Sequence, residues 1–372
     1  MGTPTNYYVD PLGGDDMTGD GSSGNPWMTV AHALGGTGIT RDSTNGDQLN
    51  VRDTATETLS SLDIASGYGS PTADAPLIIR GYTSSANDGG VGILSGGGVG
   101  RIINTGADYV HLIDMRFTNS GSTQLINGDN NWTLDRCQFD DTSGTALALD
   151  DDATVVNCYF TNIGATGIST TNRLYVRACT FENDGGSNSF TYGMTPGGTT
   201  GWNRVVDCVF KLSGSSNGLS HNGSGGHLEV RNCSFYSSSG TGKGVTGGAA
   251  ARSIICTNNL AEGFSGVGGI GFYLRSWNAV RYGHNAAYNN TTNYNVSADI
   301  EFDLGDNESL SASPFTSSTD FTPVDTGNVL GGSYPTSMKG LPQATARDKG
   351  AVQKSSSGGG GGSRRSRIRR HN

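Results

Sequence analysis

A cysteine placed two residues before a phenylalanine recurs along the chain and constrains its fold more than any other feature. Cys-x-Phe occurs five times, each time just after a short apolar run, at residues 137–139, 158–160, 179–181, 208–210 and 233–235. Cys256 continues the series, and the spacings between successive cysteines are 21, 21, 29, 25 and 23 residues. Met115 extends the column upstream by 22 residues. A period of 20–30 residues indicates a solenoid, in which each repeat packs on its neighbours.

The repeats share one internal pattern: two inward apolar residues, a bend, Cys-x-Phe and then a loop of Ser, Gly and Asn. Side chains that alternate on either side of a bend predict two short strands that meet at a corner. The bend residue is polar and short in four repeats, namely Asp114, Asn157, Asp207 and Asn232. Arg136 and Ala178 break this column.

Equivalent residues of successive turns lie about 4.8 Å apart in a coil of such strands. We therefore expect the phenylalanines, together with Phe117, to stack as one column and the cysteines to form a second column beside it. Cysteine suits the second column because it behaves as a small hydrophobe when it is buried. Disulfides between adjacent turns are also geometrically possible.

Composition agrees with many short strands joined by frequent turns. Apolar residues excluding Gly make up 34% of the chain, Gly accounts for 59 of 372 residues, and Asn, Ser, Thr and Asp supply much of the rest. Disorder is the competing interpretation, but a disordered chain would not place Val, Ile, Leu and Phe at regular intervals. Five arginines lie in the last ten residues, so residues 1–362 carry a formal charge of −14 against −9 for the whole chain.

Three segments resemble one known family. The N-terminus, "YYVDPLGGDDMTGDGSSGNPWMTVAHAL", resembles the opening of pectate lyase-like right-handed parallel β-helix proteins, where a Gly/Asp-rich loop precedes a short capping helix. "APLIIRGYTSS" resembles an early turn of such coils, and "ARDKGAVQ" at 346–353 resembles the phrase that closes them. The resemblance implies an all-β, single-stranded right-handed parallel β-helix with a short N-terminal helix, on which Val30, Ala33 and Leu34 share the apolar face, and a flexible basic tail.

These features divide the chain into four predicted segments. They are an N-terminal cap at 1–48, the parallel β-helix at 49–300, a C-terminal closing segment at 301–353, and a Gly-rich tether with an Arg-rich arm at 354–372. The scaffold itself does not specify an activity, because it serves lyases, hydrolases, phage spikes, adhesins and structural proteins alike.

Candidate catalytic residues are few. Glycoside hydrolysis uses two carboxylates, and Asp140 and Glu182 occupy the same position, just after a phenylalanine, two turns apart. A polar face with scattered acids is the alternative for this pair. Pectate lyase-like activity would imply a calcium site of clustered acids, for which Asp150, Asp151 and Asp152 are the candidates, and a solvated corner is the alternative for this run. The histidines His221, His227 and His284 have no Ser or Cys partner at a recognisable spacing. We expect no cofactor, and the sequence favours a non-enzymatic role.

The tail points to a partner. Five glycines form a flexible tether, followed by the predicted anchoring residues Arg364, Arg365, Arg367, Arg369 and Arg370. The arm suits nucleic acid, an acidic protein surface or a membrane, and an engineered linker is a further alternative.

The sequence therefore predicts a structural or adhesive component of a bacteriophage virion, such as a head decoration, fibre or tail spike. No signal peptide is recognisable and no apolar run is long enough to span a membrane, so we expect synthesis in a host cytoplasm and residence in the virion. Expected partners are other virion proteins through the arm, host surface glycan, and further copies of the chain in a homo-oligomer such as a trimer. The alternatives are a polysaccharide-degrading lyase or glycoside hydrolase, and a non-viral surface adhesin.

Overall fold

The computed structural model describes residues 2–310, except 99, 122–123, 184–187, 199–200, 222, 224, 239, 248–250 and 305–306. The tether, the Arg-rich arm and most of the predicted closing segment lie outside the described residues. The chain divides into two compact units, Met1–Tyr175 with Glu182–Thr191 and Val176–Phe181 with Tyr192–Asn372.

Two short helices accompany the strands: α1 is Val30–Leu34 and α2 is Ile64–Gly67. The strands of the first unit are β1 Thr5–Val9, β2 Asp47–Arg52, β3 Thr56–Thr58, β4 Leu77–Tyr82, β5 Gly92–Ser95, β6 Ile103–Asn104, β7 Val110–Ile113, β8 Met115–Thr118, β9 Ile126–Asn127, β10 Thr133–Asp135, β11 Gln138–Thr142, β12 Leu147–Asp151, β13 Thr154–Val156, β14 Tyr159–Ile163 and β15 Thr166–Asn172. At the division between the units lie β16 Tyr175–Arg177 and β17 Thr180–Glu182. The strands of the second unit are β18 Tyr192–Pro196, β19 Trp202–Val206, β20 Val209–Leu212, β21 Asn217–His221, β22 His227–Arg231, β23 Ser234–Ser237, β24 Lys243–Gly247, β25 Ala251–Thr257, β26 Leu260–Glu262, β27 Ile270–Gly283, β28 Ala286–Tyr288, β29 Thr292–Asp303 and β30 Glu308–Ser309.

Each unit is a parallel coil of three strand stacks. In the first unit the stacks are β1-β2-β4-β7-β10-β13, β3-β5-β8-β11-β14 and β6-β9-β12-β15, and every pairing is parallel. In the second unit they are β19-β22-β25-β27-β29, β20-β23-β26-β28-β30 and β18-β21-β24-β27. Strand β27 is long enough to contribute to two stacks. The predicted parallel β-helix is confirmed.

The predicted aromatic column is present in both units. Phe117, Phe139 and Phe160 stack with ring centroids 5.4 and 4.9 Å apart. In the second unit the centroids of Phe181 and Phe210 are 4.7 Å apart, and those of Phe210 and Phe235 are 4.8 Å apart. All six cysteines are buried thiols and form no disulfide, so they pack as small apolar residues. The prediction that Cys256 continues the column is wrong, because Cys256 is in register with Val230 and Asn259 occupies the position of Cys233 on the next turn.

The corner residue adopts the left-handed conformation, with φ between 54° and 56°, at all six positions compared in the sequence: Asp114, Arg136, Asn157, Ala178, Asp207 and Asn232. Asp and Asn tolerate this conformation better than other non-Gly residues. Arg136 and Ala178, which break the sequence pattern, nevertheless make the same bend. The turns above and below therefore impose the corner where the local residue does not favour it.

The N-terminal helix forms where the sequence places it, with Val30, Ala33 and Leu34 buried. Thr29 caps it by accepting a hydrogen bond from His32 N–H at 3.0 Å. The Glu57 carboxylate of β3 accepts from Val30 N–H at 2.7 Å and from Ala31 N–H at 3.2 Å. This carboxylate therefore ties the helix to the coil.

Candidate functional site

Asp140 lies in β11 and forms an ion pair across the strands. Its Oδ2 accepts a hydrogen bond from Arg116 Nε at 2.9 Å and lies 2.6 Å from Arg116 Nη2. Its Oδ1 is buried and has no hydrogen-bond partner among the described residues. Burial raises the pKa of Asp140 despite the opposing effects of a hydrogen bond with Thr118 and of the Arg116 guanidinium. Asp140 thus combines a structural ion pair with one unused oxygen.

Glu182 is also buried, and it contacts a different partner from Asp140. Its Oε2 accepts a hydrogen bond from the Tyr159 hydroxyl at 2.8 Å. The residue in register with Asp140 on the next turn is Thr161, whose hydroxyl is likewise buried without a partner among the described residues. The structure therefore places the unpartnered Thr161 hydroxyl beside Asp140, and it gives the two predicted carboxylates separate partners.

Neighbouring side chains contact two carboxylates of the Asp150–Asp152 run. Arg173 donates to both carboxylate oxygens of Asp152, at 2.6 and 2.5 Å, and its Nη2 lies 3.5 Å from Asp151 Oδ2. Thr171 donates to the other Asp151 oxygen at 2.8 Å. Calcium takes six to eight oxygen ligands, and Arg173 already contacts three of the six carboxylate oxygens of this run.

Three further carboxylates of this region, Asp108, Asp129 and Asp150, influence one another electrostatically. Burial raises the pKa of Asp129, and the negative charges of Asp108 and Asp150 raise it further. Asn130 connects the column by donating from Nδ2 to Asp108 at 3.1 Å and to Asp129 at 2.8 Å. Their 21-residue spacing equals that of the first three cysteines and is the sequence signal that identifies the column. Among the described residues no group of three or more His, Cys, Asp or Glu side chains is arranged to hold a metal ion.

A different polar surface lies on the outward side of β19, β22, β27 and β29 in the second unit. Register places Trp202 beside His227, and it places Arg204, Glu229, Ile255, Arg281 and Phe302 in one row. We call this surface the aromatic–arginine face and define it by Trp202, Arg204, His227, Glu229, Arg231, Arg281 and Phe302.

The aromatic–arginine face exposes two large apolar rings. Trp202 is 41% exposed and Phe302 is 59% exposed. The Trp202 ring stacks on His227 with centroids 4.6 Å apart and planes 15° from parallel. The His227 ring is held from its other edge, because its Nδ1 lies 2.6 Å from the Ser253 hydroxyl. The indole is thus presented at the surface in a fixed orientation.

Charge on the aromatic–arginine face is positive, although the chain as a whole is acidic. Arg204 Nε lies 3.2 Å from Glu229, and Arg231 also pairs with this carboxylate. Glu229 therefore pairs with two of the three arginines of this face, and Arg281 lies two strands further along the same row. Sequence reasoning missed this face because residues that are neighbours in register are separated by 21 to 26 residues in the chain, and only the strand register brings them together.

Three of the sequence-predicted features remain to be placed. His284 lies at a left-handed corner, and His221 is fully buried in the second unit. The anchoring arginines Arg364, Arg365, Arg367, Arg369 and Arg370 lie outside the described residues. Among the described residues no helix has the length and apolar character of a membrane span.

The coil, its corner residues and its capping helix define a right-handed parallel β-helix. Residues 78–235 match the family model described as a right-handed β-helix region. The whole chain is similar in structure to pectate lyase Pel9A, with 16% sequence identity, a TM-score of 0.55, and coverage of 95% of this chain and 97% of that one. At this identity the likeness shows the fold alone.

Two further solved structures are similar at lower scores. One is a rhamnogalacturonan lyase with 14% identity, a TM-score of 0.47, and coverage of 78% of this chain and 75% of that one. The other is a lacto-N-biosidase from Eubacterium ramulus with 11% identity, a TM-score of 0.42, and coverage of 80% and 68%. No curated protein matches the chain significantly.

Proposed function

We propose that this chain is a structural and adhesive component of a bacteriophage virion that binds glycan through its aromatic–arginine face. The observation that carries the adhesive role is the exposed Trp202 ring, held by His227 and flanked by arginines. A sugar ring packs its apolar side on an exposed indole, and arginine forms bidentate hydrogen bonds with carboxylates. The ligand class that fits is therefore a glycan with negatively charged groups.

The engagement of the predicted carboxylates supports a binding role over a catalytic one. Asp140 pairs with Arg116, Asp152 with Arg173, and Glu182 with Tyr159. The fold suits the task as well, because the similar protein Pel9A is a pectate lyase. Surfaces of this kind of coil are thus able to engage a polysaccharide.

Binding of polygalacturonate, compared with neutral dextran, tests the adhesive role. In affinity electrophoresis of the full chain we expect retardation by polygalacturonate and none by dextran. Trp202→Ala should weaken binding about tenfold, which is the loss of one aromatic contact of about 1.4 kcal/mol. Met17→Ala, which removes an exposed apolar side chain in the first unit, is the matched control and should bind as the parent does. Equal retardation of the parent and Trp202→Ala would contradict the proposal.

Placement in a virion rests on the separation of charge along the chain. The acidic body of the chain is followed by a Gly-rich tether and five arginines, a distribution that suits a basic arm attached to an acidic shell protein. Deletion of residues 355–372 should leave the coil folded and should abolish incorporation into particles. Normal incorporation of the truncated chain would remove the anchoring role.

One observation favours a second function, the cleavage of a polysaccharide by a glycoside hydrolase or lyase reaction. Asp140 is buried, and its pKa is raised. Its Oδ1 has no hydrogen-bond partner among the described residues, and neither has the hydroxyl of Thr161, which is in register with Asp140 on the neighbouring strand. A carboxyl group with a raised pKa serves as a general acid. Release of reducing sugar or unsaturated product by the parent chain, lost in Asp140→Asn and retained in Asp141→Asn, would establish this activity. A lack of product across acidic and neutral polysaccharides would leave only the binding role.

A further inference from the structure

The aromatic–arginine face carries a second exposed ring on the strand farthest from Trp202. Phe302 of β29 is in register with Arg281 of β27, and both side chains are exposed. Both point outward, because side chains alternate along a strand and Val280, next to Arg281, is fully buried. Neighbouring strands lie about 4.8 Å apart, so the two side chains are close neighbours, and we call them the Phe302–Arg281 pair.

Strand register gives the distance between the two exposed rings of the face. Strands β19, β22, β25, β27 and β29 pair in this order, and Arg204, two residues after Trp202, shares a row with Phe302. Four intervals of about 4.8 Å separate the outer strands, which places the Trp202 and Phe302 rings about 20 Å apart. A single sugar ring is too small to contact both rings, but an extended chain of sugars can do so.

The surface between the two rings is low. On this surface β25 contributes Ser253 and Ile255, and β27 contributes Ala279 two residues before Arg281. None of the first three side chains is as long as a guanidinium-bearing arginine or as large as an indole. A ligand can therefore lie flat across the middle strands while it contacts an aromatic ring at each end.

The acidic residues that flank Phe302 face away from the aromatic–arginine face. Glu301 and Asp303 lie on the opposite side of β29, because side chains alternate along the strand. On that side the Tyr282 hydroxyl donates to Glu301 at 2.9 Å. The charge beside the exposed Phe302 ring is therefore the positive charge of Arg281.

The carboxylate of Glu229 is engaged elsewhere on the face. It lies two strands from Arg281 in the same row and pairs with Arg204 and Arg231. The planar guanidinium group of Arg281 is suited to a bidentate pair with a ligand carboxylate, while the neighbouring Phe302 ring packs on the apolar side of the sugar. This end of the face therefore fits a sugar that carries a carboxylate.

We propose that the Phe302–Arg281 pair is a second glycan-binding point, and that the ligand is an extended acidic oligosaccharide that crosses the strands from Trp202 to Phe302. An extended glycan advances by roughly one strand spacing for each sugar, so the ligand has about five sugars or more. Two linked contacts reinforce each other, because binding at one point raises the effective concentration of the ligand at the other. The inference rests on the proposed function and adds the length and direction of its ligand.

Binding of galacturonic acid oligomers of defined length tests the second binding point. Tryptophan fluorescence of the full chain reports binding at Trp202, since Trp27, Trp132 and Trp277 are buried. A hexasaccharide is long enough to reach both points, whereas a trisaccharide reaches only one. We therefore expect the hexasaccharide to bind at least about tenfold more tightly than the trisaccharide.

Substitutions at the far end of the face identify the residues involved. Phe302→Ala and Arg281→Gln should each weaken hexasaccharide binding about tenfold, and each should change trisaccharide binding at Trp202 by less than about twofold. Arg275→Gln is the matched control, because it removes the same charge from an exposed position of the same strand outside the face. This variant should bind the hexasaccharide as the parent does.

The outcomes separate this inference from the proposed function. If the parent binds both oligomers with equal affinity, or if Phe302→Ala binds the hexasaccharide as the parent does, the second binding point is wrong and the proposed function stands. If the parent binds neither these oligomers nor polygalacturonate, the proposed function fails and the second binding point fails with it.

Discussion

The rings of Phe181 and Phe210 are 4.7 Å apart and only 3° from parallel, although 29 residues separate them in the chain. This is the longest interval in the cysteine series, so a longer loop has been accommodated without changing the stacking. The separation of the rings equals the separation of neighbouring strands. The stacked rings therefore show that equivalent residues of successive turns are in register wherever the aromatic column occurs.

Removing one ring from the column should be costly. Phe139 is fully buried and stacks on both Phe117 and Phe160, so Phe139→Ala should lower the free energy of unfolding by about 3–5 kcal/mol. The adjacent, outward-facing Gln138→Ala is the control and should change it by less than about 0.5 kcal/mol. Urea unfolding followed by circular dichroism measures both, and a loss as small as that of the control would show that the column does not stabilise the coil.

Glycines opposite the aromatic column make room for it. A Cβ on Gly218 would lie 2.5 Å from Phe235 Cδ1 and 2.6 Å from the backbone oxygen of Gly244. Gly218→Ala should therefore destabilise the chain by about 1–3 kcal/mol through overpacking. Gly24→Ala serves as the control, since nothing lies within 4 Å of its added Cβ. Thermal unfolding of the two variants would decide the matter, and equal melting temperatures would count against tight packing at Gly218.

Ala178 is held in a conformation that alanine does not favour. Its φ is 54°, in a column where other turns use Asp or Asn. Ala178→Asn should raise the free energy of unfolding by about 0.5–1 kcal/mol, because Asn reaches the left-handed region at lower cost. The reverse change at an equivalent corner, Asn157→Ala, should lower it by a similar or larger amount, since it also removes the Asn157 bond to Asp135. If Ala178→Asn did not raise the free energy of unfolding and Asn157→Ala did not lower it, the residue type at the corner would not contribute to stability.

Glu57 should make stability fall as the pH rises. Burial raises its pKa from 4.5 to about 7, so the folded chain retains a proton that the unfolded chain releases above about pH 4.5. The stability that the retained proton of Glu57 contributes is therefore fully present below pH 4.5. It is lost between pH 4.5 and 7, by up to about 3 kcal/mol. His221 acts in the opposite direction, because burial lowers its pKa from 6.5 to about 4, an effect to which nearby His227 adds, and stability is lost as the pH falls through that window.

The two effects can be separated by substitution. Glu57→Gln keeps an oxygen that accepts from the helix N-terminus and removes the titration, so its unfolding free energy should rise more steeply from pH 4.5 to 7 than that of the parent. His221→Phe should show the reverse, a steeper fall over the same range. Urea unfolding at several pH values provides the measurement, and parallel pH profiles for parent and Glu57→Gln would refute the assignment of this carboxyl group.

Most of the fold was predictable because the signals that specify it are local or periodic. The recurring Cys-x-Phe placed the aromatic and thiol columns, and the apolar positions 30, 33 and 34 identified the buried side of the capping helix. The candidate site was less predictable. Asp140 and Glu182 were found by their shared position after a phenylalanine, but their partners Arg116 and Tyr159 lie on other turns and carry no sequence mark of the pairing.

The sequence by itself determined a coil of short strands in which each turn repeats the residue types of the turn before. Only the tertiary structure decided that Ala178 bends like an asparagine, that Arg173 neutralises Asp152, and that Trp202 stacks on His227. The physical reason is the distance over which each signal acts. Side-chain alternation and bends are specified within a few residues, whereas these contacts join residues of successive turns, and the register that brings them together depends on the lengths of the intervening loops and on the packing of all the turns at once.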